Sequence, residues 1–232
     1  MIRTYIRPKS ALAREYNRIS DVYMFTRYVN KGGRYIDTVE KELLKKFIQG
    51  DSVLEIGVAT GRFIPFVRSM GWQYTGLDIS PKMLDHARGL EGELIIADGE
   101  TPPLRDSSFD SLICLHTFHF LPDPVQAVRE FYRLVRPGGC LVLIFEMDTW
   151  LRRLAIKIIG PVHKQFYFKI AEVENMVTAA GFHIWNTGTV LRLPMEAYRK
   201  LPMSRLQKTI DSSQHWPEML ATLGYVVGRK PN

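Results

Sequence analysis

Val53-Leu54-Glu55-Ile56-Gly57-Val58-Ala59-Thr60-Gly61-Arg62-Phe63 is the stretch whose reading decides the fold. A short apolar run, sized for a buried parallel strand, enters a loop of small residues. That loop opens a helix-patterned segment, Arg62–Ser69. Gly57 lets the backbone turn at once after the strand. Gly61 lets a helix begin close to the sheet, or a ligand approach the helix start. The loop is not G-x-G-x-x-G, and no Lys-Ser/Thr follows it. Neither a dinucleotide pyrophosphate nor an ATP triphosphate is therefore its natural occupant. Glu55, just beneath the loop, suits a ligand carrying an ammonium group.

The same rhythm continues outward. Gln73–Leu77, Glu93–Ala97, Ser111–Leu115 and Cys140–Phe145 are strand-sized, and Pro81–Arg88 and Pro124–Val135 read as helices. Ser80 before Pro81, and Asp123 before Pro124, pair an N-cap with a first-turn proline. Pro137-Gly138-Gly139 ends a helix and turns into the next strand. Alternating strands and helices imply right-handed crossovers and an α/β, doubly wound parallel sheet. Upstream, Ala11–Tyr28 carries Leu12, Tyr16, Ile19 and Tyr23 at helical spacing. After a break at Lys31-Gly32-Gly33-Arg34, Ile36, Val39, Leu43, Leu44 and Phe47 form a second amphipathic stripe, stopped by Gly50. Downstream, residues 149–170 are basic and aromatic. Glu172–Ala180 reads as a helix, Phe182–Val190 as a strand, Pro194–Asp211 as a partly helical insertion, and Leu223–Gly228 as the seventh strand. No linker interrupts the chain. We expect one domain over 1–232: lid helices in 1–50, a core in 51–146, and a C-terminal part with substrate-side insertions in 147–232.

Two more carboxylates close strands. Asp78 ends the second and can accept both hydroxyls of a ribose. Asp98, in Ala97-Asp98-Gly99-Glu100, ends the third, where a carboxylate and the adjacent N–H can read an adenine edge. A ligand with an amine, a ribose and a purine fits the set.

These motifs resemble those of the class I S-adenosylmethionine-dependent methyltransferases, and most of all the small-molecule subgroup that includes the ubiquinone/menaquinone biosynthesis enzymes. The likeness covers residues 50–146: Glu55-x-Gly57-x-x-x-Gly61, Asp78-Ile79-Ser80-Pro81-x-Met83-Leu84, Ala97–Glu100, Phe109-Asp110, and Arg129-Glu130 through Gly139. Weaker matches flank it at Tyr16–Tyr23 and at Ala171–Phe182. The resemblance implies a Rossmann-like seven-stranded, mostly parallel sheet with the last strand antiparallel, N-terminal lid helices and a C-terminal helical insertion. It implies S-adenosylmethionine as cofactor and S-adenosylhomocysteine as product. Gly57, Ala59 and Gly61 would line the methionine moiety, with Glu55 ordering the loop or meeting the amino group through water. Asp78 would hold the ribose, Ile79 and Met83 would sandwich the adenine, and Asp98 and Gly99 would read its edge. Leu115 would sit beside the methyl group. The family usually has glycine where this chain has Ala59, and the added methyl narrows the loop.

Methyl transfer is an in-line displacement that mainly needs alignment; a base is required only if the acceptor must lose a proton. His116 and His119, past the fourth strand, are the catalytic candidates, and each has a structural rival as a space-filling residue. Tyr16, Tyr23, His116 and Phe120 are expected on the substrate side. Phe118, Trp150 and Phe166-Tyr167-Phe168 are expected to help line the acceptor pocket. Cys114, within a strand, reads as inert. Scattered histidines (His163, His183, His215) and two cysteines form no metal set.

Composition narrows the class. At 46% hydrophobic and 24% charged, the chain reads as a soluble globular protein. No apolar run approaches the ~20 residues of a bilayer span, and residues 1–10 lack a signal-peptide core. Two cysteines fit a reducing, cytoplasmic location. The net charge of +7 is uneven: residues 51–150 hold 8 basic and 14 acidic side chains, and both flanks are basic. A small, partly apolar acceptor is the first expectation, in a monomer or homodimer. An RNA or protein acceptor, met by Arg152, Arg153, Lys157, Lys164, Lys169, Arg199, Lys200 and Arg205, is the second.

Overall fold

A computed structural model describes residues 2–3, 8–159, 165–191 and 221–232. In chain order the elements are β1 (Ile2–Arg3), α1 (Lys9–Arg27), α2 (Lys31–Phe47), β2 (Ser52–Ile56), α3 (Ile64–Ser69), β3 (Gln73–Asp78), α4 (Pro81–Ala87), β4 (Glu93–Ile96) and β5 (Phe109–Leu115). They continue with α5 (Pro124–Leu134), β6 (Val135–Glu146), α6 (Trp150–Ile159), β7 (Phe166–Tyr167), α7 (Ile170–Ala179), β8 (His183–Leu191) and β9 (Leu223–Arg229). Seven strands form one sheet in the order β4-β3-β2-β5-β6-β9-β8. β9 runs antiparallel to both neighbours, and the other pairings are parallel. This is the seven-stranded, doubly wound sheet with an antiparallel last strand that the sequence implies. β1 and β7 add a small two-stranded ribbon.

The central strands are apolar on both faces, so each face builds its own core. Val53, Ile113, Leu115, Val142 and Ile144 pack with α2, α3 and α4. Leu54, Ile56, Leu112, Leu143 and Phe145 pack with α5 and α7 on the other side. The strand period of two puts alternate residues into opposite cores.

The caps fall where the sequence places them. Ser80 Oγ accepts from Met83 N–H at 3.2 Å and Asp123 Oδ1 from Gln126 N–H at 3.0 Å. The expected break at Lys31–Arg34 is instead the first turn of α2. Asn30 Oδ1 accepts from Gly33 N–H at 2.8 Å and caps it. A Cβ at Gly33 would lie 2.3 Å from Arg27 O, so Gly33 marks a close contact with the end of α1, not a loop. Helix α7 begins at Ile170, two residues earlier than expected, because Glu172 accepts from Lys169 N–H. The expected Pro194–Asp211 insertion lies outside the described residues. Among the described residues, no helix is long and apolar enough to cross a membrane.

Asp110 ties the start of β2 to β5. Its Oδ2 accepts from the backbone N–H groups of Asp51 and Ser52 and from the Ser52 hydroxyl, and its Oδ1 from Arg136. Burial alone would raise this carboxyl, but Arg136 and Ser52 outweigh it and hold it below the usual range. Replacing Asp110 by alanine leaves several donors unpaired. It is expected to lower stability by about 1–3 kcal/mol in a urea titration, with Arg136→Ala costing less.

Candidate active site

Strand order reverses between β2 and β5, which puts a crevice past their carboxyl ends. The loop after β2 forms its floor. Gly57 N–H donates to Leu77 O at 2.7 Å, turning the chain against β3. Gly57 has φ +86°, and a Cβ there would lie 1.9 Å from Thr117 Oγ1, so only glycine fits. Asp78 then clasps the loop: its Oδ2 accepts from Ala59 N–H and its Oδ1 from Ser80 N–H, each at 2.8 Å. Burial pushes the Asp78 carboxyl up, against these backbone bonds. Each oxygen keeps a second lone pair for a ligand hydroxyl.

The crevice opens as a cleft past these strand ends. Gly57, Ala59, Asp78 and Ile79 line one wall. Asp98 and Gly99 line the next, and Leu115, His116, Thr117 and Phe120 the third. Helix α1 supplies the cover through Lys9, Leu12, Tyr16 and Tyr23. The Tyr16 ring stands edge-on to Phe120, with centroids 6.0 Å apart. Eleven of the expected residues therefore meet in one cleft: Tyr16, Tyr23, Gly57, Ala59, Asp78, Ile79, Asp98, Gly99, Leu115, His116 and Phe120.

Four expected residues do not line it. Met83 is fully buried in the core beneath α4. Gly61 faces Ile64, Ala87 and Leu90, so it serves helix packing. His119 is buried, its ring 4.4 Å from that of Phe120. Glu55 sits in a small neighbouring cavity, where its carboxylate accepts from the Tyr74 hydroxyl at 2.5 Å. Burial pushes its carboxyl up to about 8, so it is neutral at pH 7 and carries no charge to meet an ammonium. The aromatics expected in the acceptor pocket are also displaced. Phe118, Phe166 and Phe168 stack in the core with Phe145, Tyr167 is buried, and Trp150 is exposed. Cys114 is a free, buried thiol, and burial pushes its pKa far up.

Three contributors went unread in the sequence. Lys9 bridges Asp98 and Glu100. Asn17 Oδ1 accepts from Ser80 Oγ at 2.7 Å and pins α1 onto the start of α4. Glu40, wholly buried in α2, contacts His116 Nε2 at 2.5 Å and Arg62 at 2.6 Å.

Residues 54–143 match the family model described as a methyltransferase domain. A ubiquinone biosynthesis O-methyltransferase of Xanthomonas oryzae pv. oryzae is 31% identical over 104 residues, 41% of this chain and 43% of that protein. These matches and the fold support a class I S-adenosylmethionine-dependent methyltransferase domain in the core of this chain. An uncharacterised protein of Methanocaldococcus jannaschii is 31% identical over 139 residues, 56% of this chain and 65% of that protein. The chain thus spans less than two thirds of the length of these relatives. A Thermotoga maritima methyltransferase structure, described as a possible histamine N-methyltransferase, superposes with a TM-score of 0.72. It is 22% identical, over 94% of this chain and 99% of that one, a likeness of fold.

In this methyltransferase domain, Ala59 holds φ +49°, a region that favours glycine. Ala59→Gly is expected to raise stability by up to ~1 kcal/mol, the reverse of the usual effect of glycine, in a denaturant titration. Glu55 gives a pH signature. Its folded pKa lies above its unfolded one, so its stabilising share is full at low pH and is lost as pH rises from about 4.5 towards about 8. Glu55→Gln should flatten the urea midpoint across that window; an unchanged profile would exclude the neutral carboxyl.

Proposed function

We propose that this chain transfers a methyl group from S-adenosylmethionine to a small, partly apolar acceptor by in-line displacement. The observation that carries the reading is the Asp78 carboxylate, held by two backbone N–H groups at the mouth of a cleft whose cover is aromatic and aliphatic. When bound, the cofactor supplies a methyl group on a positive sulfonium. The residues present fit it. Asp78 would accept the two ribose hydroxyls, Ile79 would pack on the adenine, and Asp98 with the Gly99 backbone would read the adenine edge. Gly57 and Ala59 would leave room for the methionine end. Leu115 and His116 would lie towards the methyl group, and Tyr16, Tyr23, Leu12 and Phe120, which line the same cleft, would wall off the acceptor and exclude water. His116 is the catalytic candidate that this arrangement favours over His119, because His116 lines the cleft and His119 is buried outside it.

The charge pattern of the flanks does not favour the RNA or protein alternative. Arg152 pairs with Glu146, and Arg153 with Asp148 at 2.7 Å. Such paired guanidiniums are poor phosphate hooks. Lys164, Arg199, Lys200 and Arg205 lie outside the described residues.

Calorimetry with S-adenosylhomocysteine tests the cofactor half. Wild type should bind, and Asp78→Asn should weaken binding about 10–100-fold through the ribose bonds it loses. Absence of binding by the wild type would sink the reading. Transfer of labelled methyl to a panel of phenols, amines and carboxylates tests the acceptor half, and labelling of RNA alone would reverse the choice.

A further inference from the structure

We propose that Glu40 and His116 act together as a proton-accepting pair, and that they fit the cleft to a weakly acidic hydroxyl acceptor, a phenol in chemical class. The proposal rests on reading the cleft as a site of S-adenosylmethionine-dependent methyl transfer.

Its ground is the cost of the arrangement. Glu40 lies in the middle of α2 with no exposed surface, on the stripe Ile36–Glu40–Leu44 that faces the core. A buried carboxylate is expensive unless it is paired and hydrogen-bonded. Here Oε2 accepts from Arg62 at 2.6 Å, and Oε1 lies 2.5 Å from His116 Nε2. Arg62 is itself held by Asp37 at 2.9 Å and lies over the rings of Tyr28 and Phe63, 4.0 and 3.9 Å from their centroids. Burial works to raise the Glu40 carboxyl, but Arg62 and His116 overcome it and hold it at about 2. Glu40 is therefore ionised at any working pH and can only accept.

That settles the histidine tautomer. With an obligate acceptor at Nε2, the single proton of the neutral ring sits on Nε2, and Nδ1 is left as the basic nitrogen. His116 lines both the cleft and the small cavity beside it. Of the ionisable groups that share these spaces with it, Arg62, Tyr28 and Glu55 line the small cavity, Tyr23 lines both, and Lys9, Tyr16, Asp78 and Asp98 line the cleft. The backbone of His116 has φ +58°, a left-handed conformation that histidine tolerates better than most residues.

An amine that arrives as its free base needs no such device, and a carboxylate is already ionised. A phenol must lose a proton as it attacks. Its O–H bond breaks and the proton passes to Nδ1. The freed oxygen pair forms the new O–C bond as the C–S bond breaks, with its electrons left on sulfur. The imidazolium so formed is neutralised by Glu40 and returns its proton to water. Leu12, Tyr16 and Phe120 offer an aromatic ring an apolar seat in the same cleft. His116 is thus the group that takes the proton, and Glu40 is a positioning residue that acts through it.

The test uses the full chain loaded with S-adenosylhomocysteine and 4-nitrophenol, whose phenolate is yellow. Bound to wild type, the probe should show a phenol pKa below its value in water. Glu40→Gln and His116→Asn should abolish the shift, and asparagine tolerates the left-handed backbone. Both variants should still bind S-adenosylhomocysteine within a few fold of wild type, and turnover of phenols should fall about 10–100-fold. Nitrogen-resolved NMR of the His116 ring should show the Nε2–H tautomer in wild type and its loss in Glu40→Gln. If wild type binds S-adenosylhomocysteine but the probe stays protonated or does not bind, the pair is not a base and the proposal fails alone. If amines are methylated and Glu40→Gln leaves the rate unchanged, it also fails. If S-adenosylhomocysteine does not bind at all, the proposal falls together with the function it rests on.

Discussion

The clasp between the ends of β2 and β3 is the constraint on which the site depends. Leu77 O takes Gly57 and Val58 N–H, and Asp78 Oδ2 takes Ala59 N–H. Three donors from a tight loop are satisfied at one strand end. That fixes the loop close to the sheet and forces positive φ at Gly57 and Ala59. The same tightness brings Gly57 under Thr117, so the segment after β5 is positioned by the loop after β2. His116 owes its place in the cleft to this contact, and its left-handed backbone is the local cost.

Helix α1 covers the cleft by a different kind of bond. Only Ser20 and Tyr23 of its residues are buried, against six in α2. Tyr23 enters the core, with Tyr16, Ile19 and Met24 packed against it, and polar pins add to them: Lys9 on Asp98 and Glu100, Asn17 on Ser80, and Asp21 on His86. Exposed ion pairs and single hydrogen bonds are each worth little. The apolar stripe of α2 is the fuller anchor. The two N-terminal helices therefore have unlike duties. One shuts the cleft, and the other carries the fixed carboxylate behind His116.

The sheet was legible because both signals for it are local. Strand-sized apolar runs and cap-proline pairs fixed seven strands within a residue or two for most of them, apart from β6, which begins at Val135. The wall of the cleft was legible for the same reason, since Gly57, Asp78 and Asp98 sit at or just past strand ends that the pattern locates. What failed was anything set by distant packing. Gly32 and Gly33 look like a loop until the end of α1 is seen pressing on Gly33. Met83 lies on the same short helix as the cleft-side residues but on its inner face. Phe118 and Phe166–Phe168 are aromatic enough for a pocket, yet they fill the core under β6. One missed residue did leave a trace. Glu40 falls at the fourth position after Ile36 and before Leu44, inside an apolar stripe, where a carboxylate has no business unless a cation and a donor await it.

The uneven charge along the chain takes on another meaning once pairing is counted. Its acidic middle is not a bare negative surface waiting for a positive ligand. Glu55 is neutral at pH 7, and Asp98 and Glu100 are met by Lys9 from the basic N-terminal flank. Arg62, inside the acidic stretch, is spent on Asp37 and Glu40 from that same flank. The segments of opposite sign neutralise one another across the cleft, and Coulomb attraction between them helps seat the cover. A ligand entering at Asp98 must therefore share that carboxylate with Lys9 or displace it.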